Sequence, residues 1–268
     1  MISVIGDLSA NEIEVKAKGL IGKNIILLET VDSTNTFAAD LAEKVEDGTV
    51  VVADSQKKGR GRLGRTWISP PGSNIYLSVI TKPSIHVEDG TLITVMAGVS
   101  CVHALRRSTG LDVAIKWPND IVYGDKKLGG ILTELRTQDE RIIFAIIGIG
   151  INVNVSLDIL PEDVREIATS LRNETGGCYS RTEIIAEILN ELDRWYRIMK
   201  EKGGSNLILE WQRLNSTLGK KVMVIAGNET YGGFAESIDE KGMLILRLPS
   251  GETRKISAGD LKILRHQT

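Results

Sequence analysis

Residues 59–65 read Gly-Arg-Gly-Arg-Leu-Gly-Arg, placing Arg60, Arg62 and Arg65 among three glycines, between Gln56 and Trp67. Glycine lets a backbone approach a ligand closely, and each guanidinium offers a fixed fork of donors matched to phosphate or carboxylate oxygens. The chemistry this composition suits is the capture of an anion and the stabilisation of charge developing on it. Ordering the segment costs roughly 10 kcal/mol of backbone entropy, which a few charge-assisted hydrogen bonds of about 1.5 to 3 kcal/mol each offset. The expectation is a loop that its ligand orders. The run is neither a Walker A loop, since no Gly-Lys-Ser/Thr follows, nor the dinucleotide fingerprint, whose glycine spacing differs. Taken alone, it also reads as a solvated loop or a nonspecific nucleic-acid patch.

Other residues carry chemistry beside it. Lys116 interrupts the apolar run Val-Ala-Ile-Lys-Trp, where an ammonium without an anion would be costly. Strand alternation sends it to the face opposite Trp117. Ser33, Thr34, Asn35 and Gln56 together supply donors and acceptors, and equally read as a helix-capping cluster and a polar strand end. Gly130, Gly148 and Gly150 lie in strand-like segments, where glycine points to close backbone approach or a bulge. Asp120, after Asn119, reads as turn chemistry.

Several function classes are excluded. His86, His103 and His266 are scattered, and Cys101 and Cys178 form no Cys-x-x-Cys pair, so neither a histidine triad, a zinc site nor a disulfide framework is indicated. The net charge of −2 argues against a general nucleic-acid binder. No basic leader precedes an apolar run and no apolar segment reaches the ~20 residues of a membrane helix, which predicts a cytoplasmic chain.

The elements that must position these residues follow from periodicity and caps. Strands are expected at residues 25–28, 50–53 and 75–80. Asp32, Ser33, Thr34 and Asn35 cap a helix carrying Phe37 and Leu41 inward. A buried helix spans 91–108, and three strands follow at 113–117, 127–135 and 141–153, with 118–120 and 124–125 as turns. Pro161 opens a short helix with Val164, Ile167 and Leu171 on one face. Ser180 and Glu183 form a capping box before an amphipathic helix, and another helix spans 206–214. Beyond Gly219, short strands separated by Gly227-Asn228, 239–242 and 249–251 read as a small β-barrel. The fold class is α+β, a mixed sheet with packed helices over residues 1–217 and a small β domain over 218–268.

The order Asp-Ser-Thr-Asn (32–35), Gln56, the glycine-arginine run, Trp67, Lys-Trp-Pro-Asn-Asp (116–120), Lys-Leu-Gly-Gly-Ile-Leu (127–132) and Gly-Ile-Gly-Ile-Asn (148–152) resembles the biotin protein ligases. The resemblance runs from about Lys23 to the C-terminus. It implies a class II synthetase-like catalytic domain with an SH3-like appendage. The implied chemistry is ATP-dependent formation of biotinyl-5′-AMP, then transfer of biotin to a lysine of a biotin carboxyl carrier protein, with Mg2+ accompanying the ATP. By resemblance, Arg60, Arg62 and Lys116 are catalytic. Ser33, Thr34, Asn35, Gln56, Arg60, Gly61, Arg62, Lys116, Gly130, Gly148 and Gly150 bind biotin, and Arg60, Arg62, Arg65, Trp67, Lys116 and Asn152 meet the nucleotide. Trp67 also reads as a structural anchor. The segment 155–171 lacks the tryptophan some relatives place against adenine, with Ala168 or Thr169 in that region.

About twenty residues precede the first catalytic strand, too few for the winged-helix domain of many relatives, so a monofunctional ligase without specific DNA binding is expected. A homodimer through a sheet edge is expected too, with residues 142–153 as the candidate edge. The rivals are a lipoate ligase or octanoyltransferase, whose ligands lack a ureido group, and a nucleic-acid-binding module built on the arginine loop and the β segment.

Overall fold

In the computed structural model, which describes residues 3–264, strand alternation gives a seven-stranded sheet two differently covered faces. The chain enters through a short hairpin, β1 (Val4–Ile5) and β2 (Leu8–Ser9), and a helix, α1 (Ala10–Lys16), whose N-cap Ser9 accepts from the Glu12 amide. There follow β3 (Ile25–Val31), α2 (Thr34–Leu41), β4 (Val50–Gln56), β5 (Ile75–Thr81) and α3 (Thr91–Thr109). Next come β6 (Val113–Lys116), β7 (Asp120–Tyr123), β8 (Lys126–Gln138) and β9 (Arg141–Ile151). The sheet order is β3-β4-β5-β9-β8-β7-β6, antiparallel except for the parallel β3–β4 pair.

The short helices α4 (Glu162–Arg165) and α5 (Leu171–Thr175) lead to α6 (Arg181–Lys202) and α7 (Ser205–Leu214). Val50, Val52, Leu77, Val79, Ile147 and Ile149 point to one face and join α3 and α6 in the main core. Residues one step away, Val51, Ile80 and Ile146, point to the other face and pack under α2, where Phe37 and Leu41 are half-buried. Ser180 caps α6 by accepting from the Glu183 amide, as the capping box predicts. The Glu183 carboxylate, however, goes to Lys16 of α1 at 2.5 Å.

The C-terminal strands β10 (Lys221–Ala226), β11 (Glu229–Ile238), β12 (Leu244–Arg247), β13 (Thr253–Ile256) and β14 (Asp260–Ile263) form a separate antiparallel sheet ordered β13-β12-β11-β10-β14. Among the described residues its outer strands β13 and β14 do not pair with each other, so the expected barrel is an open sheet by hydrogen bonding.

Four expectations are corrected. Asp120–Tyr123 is a strand, not the end of a turn, because it is held between β6 and β8. Pro161 is the N-cap of a four-residue helix rather than its first residue; Ile167 is exposed and Leu171 begins a second helix. Asp32 pairs with Lys58 at 2.7 Å, and the N-cap of α2 is Ser33, with no capping bond from its side chain. Strand β9 is interior, paired with β5 and β8, so residues 142–153 are not a sheet edge; the edges are β3 and β6. His266 lies outside the described residues.

Candidate active site

Register aligns one row of residues across six strands: Lys116 of β6, Asp120 of β7, Gly130 of β8, Gly150 of β9, Tyr76 of β5 and Ala53 of β4. Directly opposed residues share a face, and strands lie about 4.8 Å apart, so Lys116 and Gly150 face the same side roughly 14 Å from each other. A second row, Leu132, Gly148 and Ser78, runs beside it. These rows, Ala53 and Ser78 excepted, floor a cavity of about 890 Å³ on the α2 side of the sheet. Its walls include the start of α2, the glycine-arginine loop, residues 160–168 and, from the C-terminal sheet, Met223, Ile225, Asp260 and Lys262. Every residue singled out from the sequence as a site residue, from Ser33 to Asn152, lines this one cavity.

One part of the wall is a neutral polar network. Gln56 Oε1 accepts from the Thr34 amide at 2.9 Å and from the Thr34 hydroxyl at 3.2 Å, and Gln56 Nε2 donates to Ser69 Oγ at 2.9 Å. An amide N–H can only donate, so the Gln56 orientation is fixed and, among the described residues, Nε2 keeps one free hydrogen. Ser78, fully buried, lies 2.6 Å from Asn35 Oδ1 and 2.8 Å from Thr34 Oγ1.

The cations form the other part. Lys116 is half-buried and, among the described residues, has no hydrogen-bond or ion-pair partner, while Trp117 turns into the core with its indole donating to the Gly242 carbonyl. The loop is a small hairpin: Gly61 N–H donates to Arg65 O at 2.7 Å and Trp67 N–H to Gly59 O at 2.9 Å. Each of its arginines meets a different element. Arg60 pairs with Glu134 of β8, Arg62 donates to Asn119 Oδ1 at 2.9 Å, and Arg65 pairs with Asp260 of β14. Burial pushes the Arg62 guanidinium below its ordinary value, against the pull of Asp260 and Asp120 and with the push of Arg65. A desolvated cation of this kind gains when an anion arrives.

The strand glycines have a cause other than a ligand's approach. A Cβ on Gly148 would strike the Asn35 amide, and one on Gly150 would lie 2.6 Å from the Trp67 indole; Gly130 faces the same ring at 3.4 Å. Trp67 therefore lies on a glycine floor, with Lys127 Nζ 5.6 Å from its ring centroid and 2.5 Å from Asp120. Its Nε1 is buried and has no partner among the described residues. Asn152 is also buried; its Nδ2 donates to the Thr169 carbonyl at 2.9 Å, which ties β9 to the 155–171 segment.

Residues 27–152 match the Biotin/lipoate A/B protein ligase family, and residues 217–261 match the Biotin protein ligase C terminal domain. The bifunctional ligase/repressor BirA of Bacillus subtilis is 35% identical over 265 residues, covering 98% of this chain and 81% of that protein. This chain belongs to the biotin protein ligase family. A biotin--[acetyl-CoA-carboxylase] ligase of Mycobacterium tuberculosis is 30% identical over 89% of each chain. The biotin protein ligase of Aquifex aeolicus, solved in complex with biotin and ATP, matches with a TM-score of 0.77 at 32% identity, covering 91% of this chain and 99% of that one.

Three residues at or behind the cavity wall are given no site role by the sequence. Ser78 is a polar residue in the otherwise apolar run of β5, a signal that was available. Lys127 and Asp120 are joined only by the β7–β8 pairing, which spacing does not reveal.

Proposed function

We propose that the protein attaches biotin to a lysine of a biotin carboxyl carrier protein, by way of biotinyl-5′-AMP formed from biotin and ATP. The observation that carries this reading is one cavity that joins a fixed polar network to three arginines and a lysine without a partner among the described residues. A ureido ring has one carbonyl and two N–H groups. The free hydrogen on Gln56 Nε2, with the hydroxyls of Ser33 and Thr34, complements that pattern. Gly148 lets Asn35, and Gly130 and Gly150 let Trp67, settle close to the sheet, which keeps the space beyond them open for the bicycle.

Adenylation brings a carboxylate to the α-phosphate, two anions that repel. Lys116, Arg60 and Arg62 offset that repulsion, and losing one such donor costs on the order of 10² to 10³ in rate. Arg65 serves the leaving pyrophosphate, and Asn152 the nucleotide side. Magnesium comes with the triphosphate. Among the described residues no three His, Cys, Asp or Glu side chains are grouped to cage a metal, which fits an ion held chiefly by phosphate oxygens and its own waters. Asp120, in the floor row beside Lys116, is the carboxylate that would share it. We take residues 1–217 as the catalytic part and 218–268 as the SH3-like part, acting as a cytoplasmic homodimer. Among the described residues no helix is long and apolar enough to cross a membrane.

Biotin-dependent exchange of radiolabelled pyrophosphate into ATP, without carrier, tests the reading. Wild type should exchange and Lys116→Ala should fall by about 10²-fold or more. Exchange with lipoate or octanoate in place of biotin would assign the protein to the sister ligases of the same family.

A further inference from the structure

Glu134 does not line the cavity, yet its two carboxylate oxygens are divided between the two halves of the site. Oε2 accepts from Asn35 Nδ2 at 2.7 Å, at the start of α2, and Oε1 pairs with Arg60 of the glycine-arginine loop. Arg60 donates further to Thr36 Oγ1 at 3.2 Å, so both partners of Glu134 converge on the same helix turn.

This division has two consequences. The second hydrogen of Asn35 Nδ2 goes to the Leu132 carbonyl at 3.1 Å. Carboxylate and carbonyl oxygens only accept, so the amide is locked with nitrogen toward β8 and Oδ1 toward Ser78 and Gly148. Asn35 thus has acceptor capacity left and no donor. Second, the loop's first guanidinium is moored to a residue that also orients the biotin side of the wall. Opening the loop at Arg60 leaves the carboxylate attached to Asn35 alone.

Resting on the proposed ligase reading, we infer that Glu134 is a positioning residue that couples loop closure over the adenylate to the orientation of Asn35. It acts through Arg60 and Asn35 and touches no reacting atom. Removing its charge frees the loop, and the bound intermediate escapes before a carrier arrives.

The test is the release rate of biotinyl-5′-AMP from the full chain without carrier, measured by rapid filtration, together with KM for biotin and kcat in pyrophosphate exchange. Glu134→Gln keeps the size and one acceptor but not the charge. It should speed release about three- to tenfold and raise KM for biotin similarly, with kcat changing less than about threefold. In the Arg60→Gln background, the same substitution should add nothing further to release, because the partner is already gone. Unchanged release in Glu134→Gln overturns the inference, as does an effect that simply adds to that of Arg60→Gln. Glu134→Asp, which retains charge at shorter reach, serves if the glutamine variant does not fold, and it should give an intermediate release rate; wild-type release would overturn the coupling. Absence of biotin-dependent exchange in wild type would instead remove the ligase reading itself.

Discussion

At the residue scale, Lys116 is the group with the least alternative employment. A half-buried ammonium with no partner among the described residues, projecting from an apolar strand over a cavity, is held in readiness for an anion. The second half-reaction adds a further role. A carrier lysine with a pKa near 10.4 is only about one part in a thousand neutral near pH 7, and in the proposed reaction Lys116 with the loop arginines would disfavour its ammonium form by like-charge repulsion. With biotinyl-5′-AMP supplied ready-made, the rise of carrier transfer with pH should move to higher pH in Lys116→Gln; an unchanged profile would refute this. Gly148 allows a sharper prediction. An added methyl meets the Asn35 amide, which Ser78, Leu132 and Glu134 prevent from turning aside. Gly148→Ala should cost about 1 to 3 kcal/mol in thermal or urea unfolding and raise KM for biotin at least about tenfold. The types of these residues were legible in the sequence, while the reason for the glycines was not. Spacing indicated close approach, and only the fold shows that Asn35 and Trp67 are what approach.

At the scale of elements, the loop is moored at three points, to β8, to the β6–β7 turn and to β14. Two of these are ion pairs between partly exposed groups, each worth about 1 kcal/mol or less. Such moorings alone leave the loop free to open, and substrate anions add stronger bonds to them. Amide hydrogen exchange across residues 59–65 should therefore slow by at least about tenfold when biotin and ATP are added; equal protection in both states would disprove ligand ordering. Long periodic elements such as α3 and α6 could be read directly from apolar spacing. Strand β7 could not, because its four residues stand between two turn signals and owe their extended form to neighbours on both sides. The β9 expectation failed for a related reason: an unbroken apolar run marks a strand covered on both faces, and such a strand belongs in the middle of a sheet.

At the scale of the whole molecule, Arg181 joins distant parts of the chain. It is 1% exposed and pairs with Asp7 of the first hairpin and with Asp54 of β4, while its Nη1 also donates to the Asn74 carbonyl. Burial alone would raise the Asp7 pKa, but hydrogen bonds from the Arg181 side chain and backbone outweigh it and hold the carboxyl below its usual range. A lowered folded value means stability that is complete above the unfolded pKa of about 3.9 and is lost as pH falls through the folded one. Asp7→Asn should lower the urea midpoint at pH 7 and differ less from wild type at pH 3, with the pH-dependent part below about 1 kcal/mol because Asp7 is partly exposed. A constant difference between the two pH values would contradict the assignment.

The registered row from Lys116 to Tyr76 also determines where the chain tolerates a change of length. One residue inserted between Lys127 and Gly130 would turn β8 over and bring a neighbouring side chain up beneath Trp67, since side chains alternate with a period of two. An insertion at the β8–β9 tip, where Asp139 and Glu140 already adopt positive φ, leaves every pair from Gly129↔Ile151 to Leu135↔Ala145 in place. Natural length variation and engineered tags therefore belong at that tip, and the span from Lys116 to Gly130 is where residue count is fixed by chemistry.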